Sequence, residues 1–148
     1  MTDARPTINA LRAATVEFDL VAAEFAKTQR LNATDLRALI GLLDRERAGE
    51  PATPGWLGAH LAINSASVTA LVDRLVERGL VERVRDASDR RRVLLQASDT
   101  AKDLGEDFFR PVFGRIGAVA ADYSADEMST VQRFLADVVS ALRGEDRV

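Results

Sequence analysis

The sequence predicts a mostly α-helical fold carrying one small β-hairpin, and three observations predict it. Apolar residues recur at steps of three and four through most of the chain, which is the spacing of helices with one buried face. Two short strand-like runs, Leu80 to Arg85 and Arg92 to Ala97, are separated only by the polar segment DASDRR, whose aspartates and serine favour a turn. Arginines crowd onto that same turn, in a chain whose formal net charge is -3.

Composition bounds the rest. A chain of 148 residues, 47% hydrophobic and 29% charged, is one domain's worth of globular protein with a real core. No apolar run approaches the ~18 residues that cross a bilayer. The opening MTDARPT lacks the basic-then-apolar layout of a signal peptide, so the expected location is the cytoplasm, with no membrane partner. Cysteine is absent, which removes disulfide frameworks, thiol redox sensing and cysteine-ligated zinc together. A lone histidine, His60, with no phosphate loop, no GxGxxG and no HExxH, gives no basis for an enzyme, a metal site or a cofactor.

From Pro6 to Gln29, the residues Ile8, Leu11, Thr15, Phe18, Ala22 and Phe25 form a helical stripe with heptad spacing. The next helix spans Ala33 to about Arg47, with Asn32 as N-cap, Asp35 at the third helical position and a Leu31/Leu36 staple. Its expected inner face is Leu36, Leu39, Ile40 and Leu43. The segment AGEPATPG breaks the pattern, and a short helix follows, with Thr53 as N-cap, Pro54 in the first turn, and Leu57 and Leu61 inward. Asn64 or Ser65 caps another helix, which buries Val68, Leu71, Val72, Leu75 and Val76 and stops at Gly79.

Beyond the hairpin the chain returns to helix from Ser98, through Leu104, Phe108, Val112 and Ile116. Pro111 lies inside this run and is expected to kink or break it, because proline lacks the donor N–H and clashes with the preceding turn. The last helix carries Met128, Val131, Leu135, Val138 and Leu142, and starts at a Ser124/Glu127 capping box with Tyr123 and Met128 at staple positions. Narrow seams at both ends of the chain suit helices that pack on a second copy, so a homodimer built from both termini is expected.

Arginines number eighteen against two lysines, so richness alone carries little. Position carries more: Arg74, Arg78, Arg83, Arg85, Arg90, Arg91 and Arg92 place seven of the 20 basic residues in one short window. Two helices joined by a tight turn and followed by a hairpin describe a winged helix-turn-helix. In that arrangement the second helix enters a major groove while the hairpin tip reaches the backbone or the neighbouring minor groove. An exposed guanidinium at the tip binds phosphate in a fork and is favoured where a narrow groove concentrates negative potential.

Three stretches carry a family resemblance. SVTALVDRLVERGLVER resembles the recognition helix, closing glycine and first wing strand of the MarR family, the multiple-antibiotic-resistance regulators. DRRRVLLQAS resembles that family's wing signature, with Asp89 and Arg91 at its aspartate and arginine places, and LNATDLRALIGL resembles the helix that opens its DNA-binding lobe.

The resemblance covers nearly the whole chain, 1–148, and implies two parts. A winged helix-turn-helix lobe over 32–97 would bind double-stranded DNA, and helical regions 6–29 and 98–144 would form the homodimer. It implies a transcriptional repressor, released from a pseudo-palindromic operator by a small, often aromatic or phenolic, effector. Arg91 would reach the minor groove, Ser65, Ser67 and Thr69 would face bases or phosphates, and Trp56 and His60 lie in the helix that borders the family's effector crevice. Arg74, Arg90 and Arg92 join the candidate DNA contacts, and Asp89 is expected to organise the wing by holding a nearby arginine such as Arg74.

Two departures stand out. Ala70 replaces the arginine often found after the recognition-helix threonine, and the second strand ends in QAS, with Ala101 where glycine is common. Ala70 shifts base readout toward thymine methyl contacts and DNA shape. A winged-helix module that binds protein instead of DNA is the competing class, and the cationic wing tip argues against it.

Overall fold

The computed structural model describes residues 3–145. In chain order these form α1 (Arg5–Gln29), α2 (Ala33–Arg47), α3 (Pro54–Leu61), α4 (Ser65–Glu77), β1 (Val81–Arg85), β2 (Val93–Ala97), α5 (Asp99–Ala120) and α6 (Ala125–Leu142). The chain divides into two compact units, Met1–Asp107 and Phe108–Val148. None of the helices is long and apolar enough to cross a membrane, among the described residues.

In the first unit, the side chains that cap each helix fix where it begins. The Asn32 side chain accepts the N–H of Asp35 at 2.8 Å, Thr53 accepts that of Trp56 at 3.1 Å, and Asn64 accepts that of Ser67 at 2.9 Å. Each cap satisfies one donor that the first helical turn leaves over. Asn64, not Ser65, is therefore the cap of α4.

The turn between α3 and α4 is tight. Ala62 takes a left-handed conformation, φ 54°, and the N–H of Ile63 returns to the Gly58 carbonyl at 3.0 Å. A Cβ on Gly58 would stand 3.1 Å from both the Ile63 carbonyl oxygen and Val68, so glycine lets the turn fold back onto its own helix.

The core gathers Leu36, Ala38, Leu39 and Leu42 of α2, Leu57 of α3, Val68, Leu71, Val72 and Leu75 of α4, and Val81, Leu95 and Ala97 of the hairpin. The inner face of α2 thus differs from the expected one: Ile40 is exposed and Leu43 half-buried, while Ala38 and Leu42 are buried. Two long-range contacts rotate the helix this way. The His60 ring packs on Gly41, where a Cβ would come within 2.8 Å of Nε2, and Asp35 is drawn inward by a partner on α4. Leu61 and Val76, both expected inside, are half-buried.

Strands β1 and β2 pair antiparallel, with Val81 opposite Ala97 and Arg85 opposite Val93. The N–H of Leu95 also donates to the Ala52 carbonyl at 2.8 Å, fastening the loop before α3 to the sheet. Ser98 makes the passage into α5: its hydroxyl donates to the Gly79 carbonyl at 2.6 Å and accepts the N–H of Ala101 at 3.1 Å. The departure at QAS therefore keeps a hydroxyl cap.

Helix α5 runs through Pro111 without ending there, so of the kink or break expected at this residue the break is absent. Proline removes one donor from the ladder, and the remaining bonds on either side hold the helix together. In the second unit, Phe109 and Phe113 stack with ring centroids 5.7 Å apart. The Ser124/Glu127 capping box is fully formed, yet α6 has no buried residue. Met128 is half-buried and Tyr123 exposed.

Candidate nucleic-acid interface

The seven clustered arginines separate into two groups. Arg74 pairs with Asp35, Arg83 with Asp73, and Arg92 lies 3.6 Å from Asp86. Arg78 donates to the carbonyls of Arg30, at 3.0 Å, and Gln29, closing the C-terminal end of α1. Arg85 donates to the Arg90 carbonyl at 3.3 Å. Among the described residues, the guanidinium groups of Arg90 and Arg91 alone in this cluster have no intramolecular partner.

The backbone of the wing explains that exposure. The N–H of Arg92 donates to the Asp89 carbonyl at 2.9 Å, which closes a β-turn with Arg90 and Arg91 at its two central positions. The Asp89 carboxylate accepts the N–H of Arg91 at 3.0 Å, an Asx-turn that holds the tip from inside. Asp89 is thus an organiser of the turn, but not of Arg74, whose carboxylate partner is Asp35.

At the base, Asp86 accepts from the Ser88 N–H at 3.1 Å and from its hydroxyl at 2.9 Å, and its own N–H donates to the Arg92 carbonyl at 3.0 Å. The Ser88 N–H and hydroxyl, with Arg92 nearby, hold the Asp86 carboxyl below the usual carboxylate range. The tip is a hydrogen-bonded turn presenting two cations without intramolecular partners among the described residues.

Helix α4 presents Ser65, Ser67 and Thr69, all exposed, in its first two turns. The Thr69 hydroxyl donates to the Ser65 carbonyl at 3.0 Å, which leaves its oxygen as an acceptor. Ala66 and Ala70 are exposed beside them, so the surface holds no long side chain until Asp73 and Arg74.

Trp56 and His60 stack at 4.8 Å with an interplanar angle of 17°, and the Arg45 guanidinium stands 4.8 Å from the Trp56 ring centroid. Trp56 is half-buried and His60 exposed. Among the described residues, no group of three or more His, Asp or Glu side chains is arranged to hold a metal ion.

A helix-turn-helix followed by a hairpin, with a short polar helix face and a cationic tip, defines the winged helix-turn-helix class. Residues 31–92 match the family model described as MarR family. An uncharacterised HTH-type transcriptional regulator of Bacillus subtilis, YcgE, is 34% identical over 95 residues, covering 64% of this chain and 62% of that protein.

The fold is similar to that of a crystallised mutant of the S. aureus protein MepR from a multidrug-resistant clinical isolate, with TM-score 0.74, 18% identity, and 92% of this chain and 96% of that chain covered. It is also similar to MepR in a crystallised complex with DNA, with TM-score 0.58, 19% identity, and 88% and 96% covered. The likeness to the MarR family lies in the winged lobe, and the chain spans less than two thirds of the length of the curated relative it matches.

Proposed function

We propose that the chain is a sequence-specific DNA-binding transcriptional regulator of the cytoplasm, acting as a homodimer. The observation that carries this reading is the wing turn, which projects Arg90 and Arg91 unpaired while the rest of the arginine cluster is engaged within the fold. Helix α4 would enter the major groove through Ser65, Ser67 and Thr69, and Arg91 would reach the adjacent minor groove. The relatives and the MepR complex with DNA support the same reading.

The lobe over 32–97 would bind DNA, and regions 6–29 and 98–144 would join two copies. Exposed apolar side chains on both terminal helices support the second part, among them Ile8, Phe18, Val131, Leu135 and Leu142. A twofold dimer places its recognition helices about one helical turn apart, roughly 10 bp, so the operator would be a near palindrome.

Regulation would be repression, relieved when a small aromatic or phenolic molecule enters at the Trp56 and His60 stack. Such a ligand acts only if it binds one spacing of the recognition helices better than the other, with coupling of ~1–3 kcal/mol.

The test is a fluorescence-anisotropy titration against the DNA upstream of its own gene and against a scrambled duplex, at two salt concentrations. Tight, salt-sensitive binding to the upstream duplex alone is expected. Equal affinity for both duplexes, or binding to neither, contradicts the reading and favours a protein-binding winged helix.

A further inference from the structure

We infer that Asp35 is a positioning residue for DNA binding, which holds one edge of the Arg74 guanidinium so that the other edge faces outward as a phosphate fork. This rests on the DNA-binding reading above and adds a residue to it.

Asp35 is 2% exposed, at the N-terminal turn of α2, with its own N–H taken by the Asn32 cap. Its carboxylate accepts from Arg74 Nη2 at 2.5 Å and Nε at 3.3 Å, so both oxygens are occupied by one guanidinium. The Arg74 hydrogen bond and its positive charge offset the burial of that carboxylate, which would otherwise be strongly unfavourable.

The arrangement is lopsided. The Asp35 side chain is 3% exposed and that of Arg74 is 44% exposed. A guanidinium carries five N–H donors. Those not spent on Asp35, the Nη1 edge among them, have no other partner among the described residues.

Arg74 lies one helical turn beyond Ala70, and long helical side chains lean toward the N-terminus of their helix. The free edge is thus carried toward the end of α4 that bears Ser65, Ser67 and Thr69. Clamped at Nε, the side chain does not extend into a groove, so it suits a backbone phosphate and not a base edge.

The sign of one substitution separates positioning from plain electrostatics. Asp35→Asn removes a negative charge near the duplex, and by charge alone it would tighten binding. Positioning predicts the reverse: anisotropy titrations give about a tenfold loss per half-site, the scale of one charge-assisted hydrogen bond. The loss should match that of Arg74→Ala, should be equal on upstream and scrambled duplexes, and should be no greater in the double variant.

Both single variants should lower the slope of log affinity against log salt by about 0.9 per half-site, the loss of one phosphate contact. Arg74→Lys keeps the charge and removes the fork, so it should show the weaker affinity in a folded protein even if Asp35→Asn does not fold. Circular dichroism and the thermal midpoint verify the fold of each variant.

Asp35→Asn or Arg74→Lys binding as tightly as the parent, or a salt slope unchanged in Arg74→Ala, overturns the inference while the parent still discriminates between the duplexes. A parent that does not discriminate overturns the underlying reading as well.

Discussion

The winged lobe and the last helix carry similar apolar periodicities and meet different fates. In the lobe, the stripes on α2 and α4 end in a core where Leu57 and Leu75 are fully buried. On α6 an equally regular stripe has no fully buried residue, and Leu142 remains 82% exposed. Period alone establishes that a helix has an apolar face. What covers the face depends on elements that are distant in sequence or belong to another molecule. The arginines teach the same lesson in charge: seven close together in sequence, five drawn into the fold and two left at the tip.

The largest expected effect is in the lobe. Leu75→Ala should destabilise the protein by about 2–5 kcal/mol, because a fully buried leucine leaves both lost contacts and a cavity. Urea denaturation followed by circular dichroism measures it. An effect as small as that of a surface change would erase the contrast with α6.

Leu135→Glu sharpens the contrast from the other side. On an exposed face its cost to a single chain should stay near the ±0.5 kcal/mol of ordinary surface substitutions, while it should convert a dimer to monomer. Sedimentation velocity decides, and an unchanged dimer would show that this face is not the one joined.

Smaller still is Ser124→Ala. It removes the hydroxyl that accepts the Glu127 N–H at 3.3 Å and should cost about 1 kcal/mol. The smallest effect is that of acid. The Ser124 N–H and hydroxyl hold the Glu127 carboxyl below the usual carboxylate range, as the Ser88 donors and Arg92 do for Asp86. A carboxyl whose pKa is lower folded than unfolded contributes stability above its unfolded pKa, about 4, and loses it as pH falls through the folded value. The thermal midpoint should therefore fall on acidification below about pH 4–5, and Glu127→Gln should remove part of that dependence.

Much of this was legible in the sequence where the physics is local. Asn32, Thr53 and Ser124 cap the helices they were expected to cap, because a cap needs only its own next three residues. The hairpin boundaries were read to within one residue, since turn chemistry between two apolar runs is also local.

What was misread depends on contacts made across the chain. Ile40 and Leu43 were expected inside because the stripe on α2 admits several rotations. The choice is made by His60 on Gly41 and by Arg74 on Asp35, a residue 39 positions away. Asp89 and the acids of its own helix, Asp73 and Glu77, lie nearer to Arg74 in sequence, and nothing local marks Asp35 as a buried carboxylate and not a first-turn acid. Pro111 does not end α5, because the hydrogen bonds on either side of the missing donor carry the helix past it.

The central claim is that Arg90 and Arg91 are held out for DNA while Arg83, paired with Asp73, serves the fold. The most direct measurement is the affinity and salt slope of the Arg90→Ala/Arg91→Ala variant against those of Arg83→Ala, on the same upstream duplex. The tip variant should lose about 1–3 kcal/mol per half-site if Arg91 reads a base edge. It should also have a shallower salt slope, while Arg83→Ala binds like the parent. Equal losses in the two variants, or an unaffected tip variant that folds correctly, would contradict this division of the cluster.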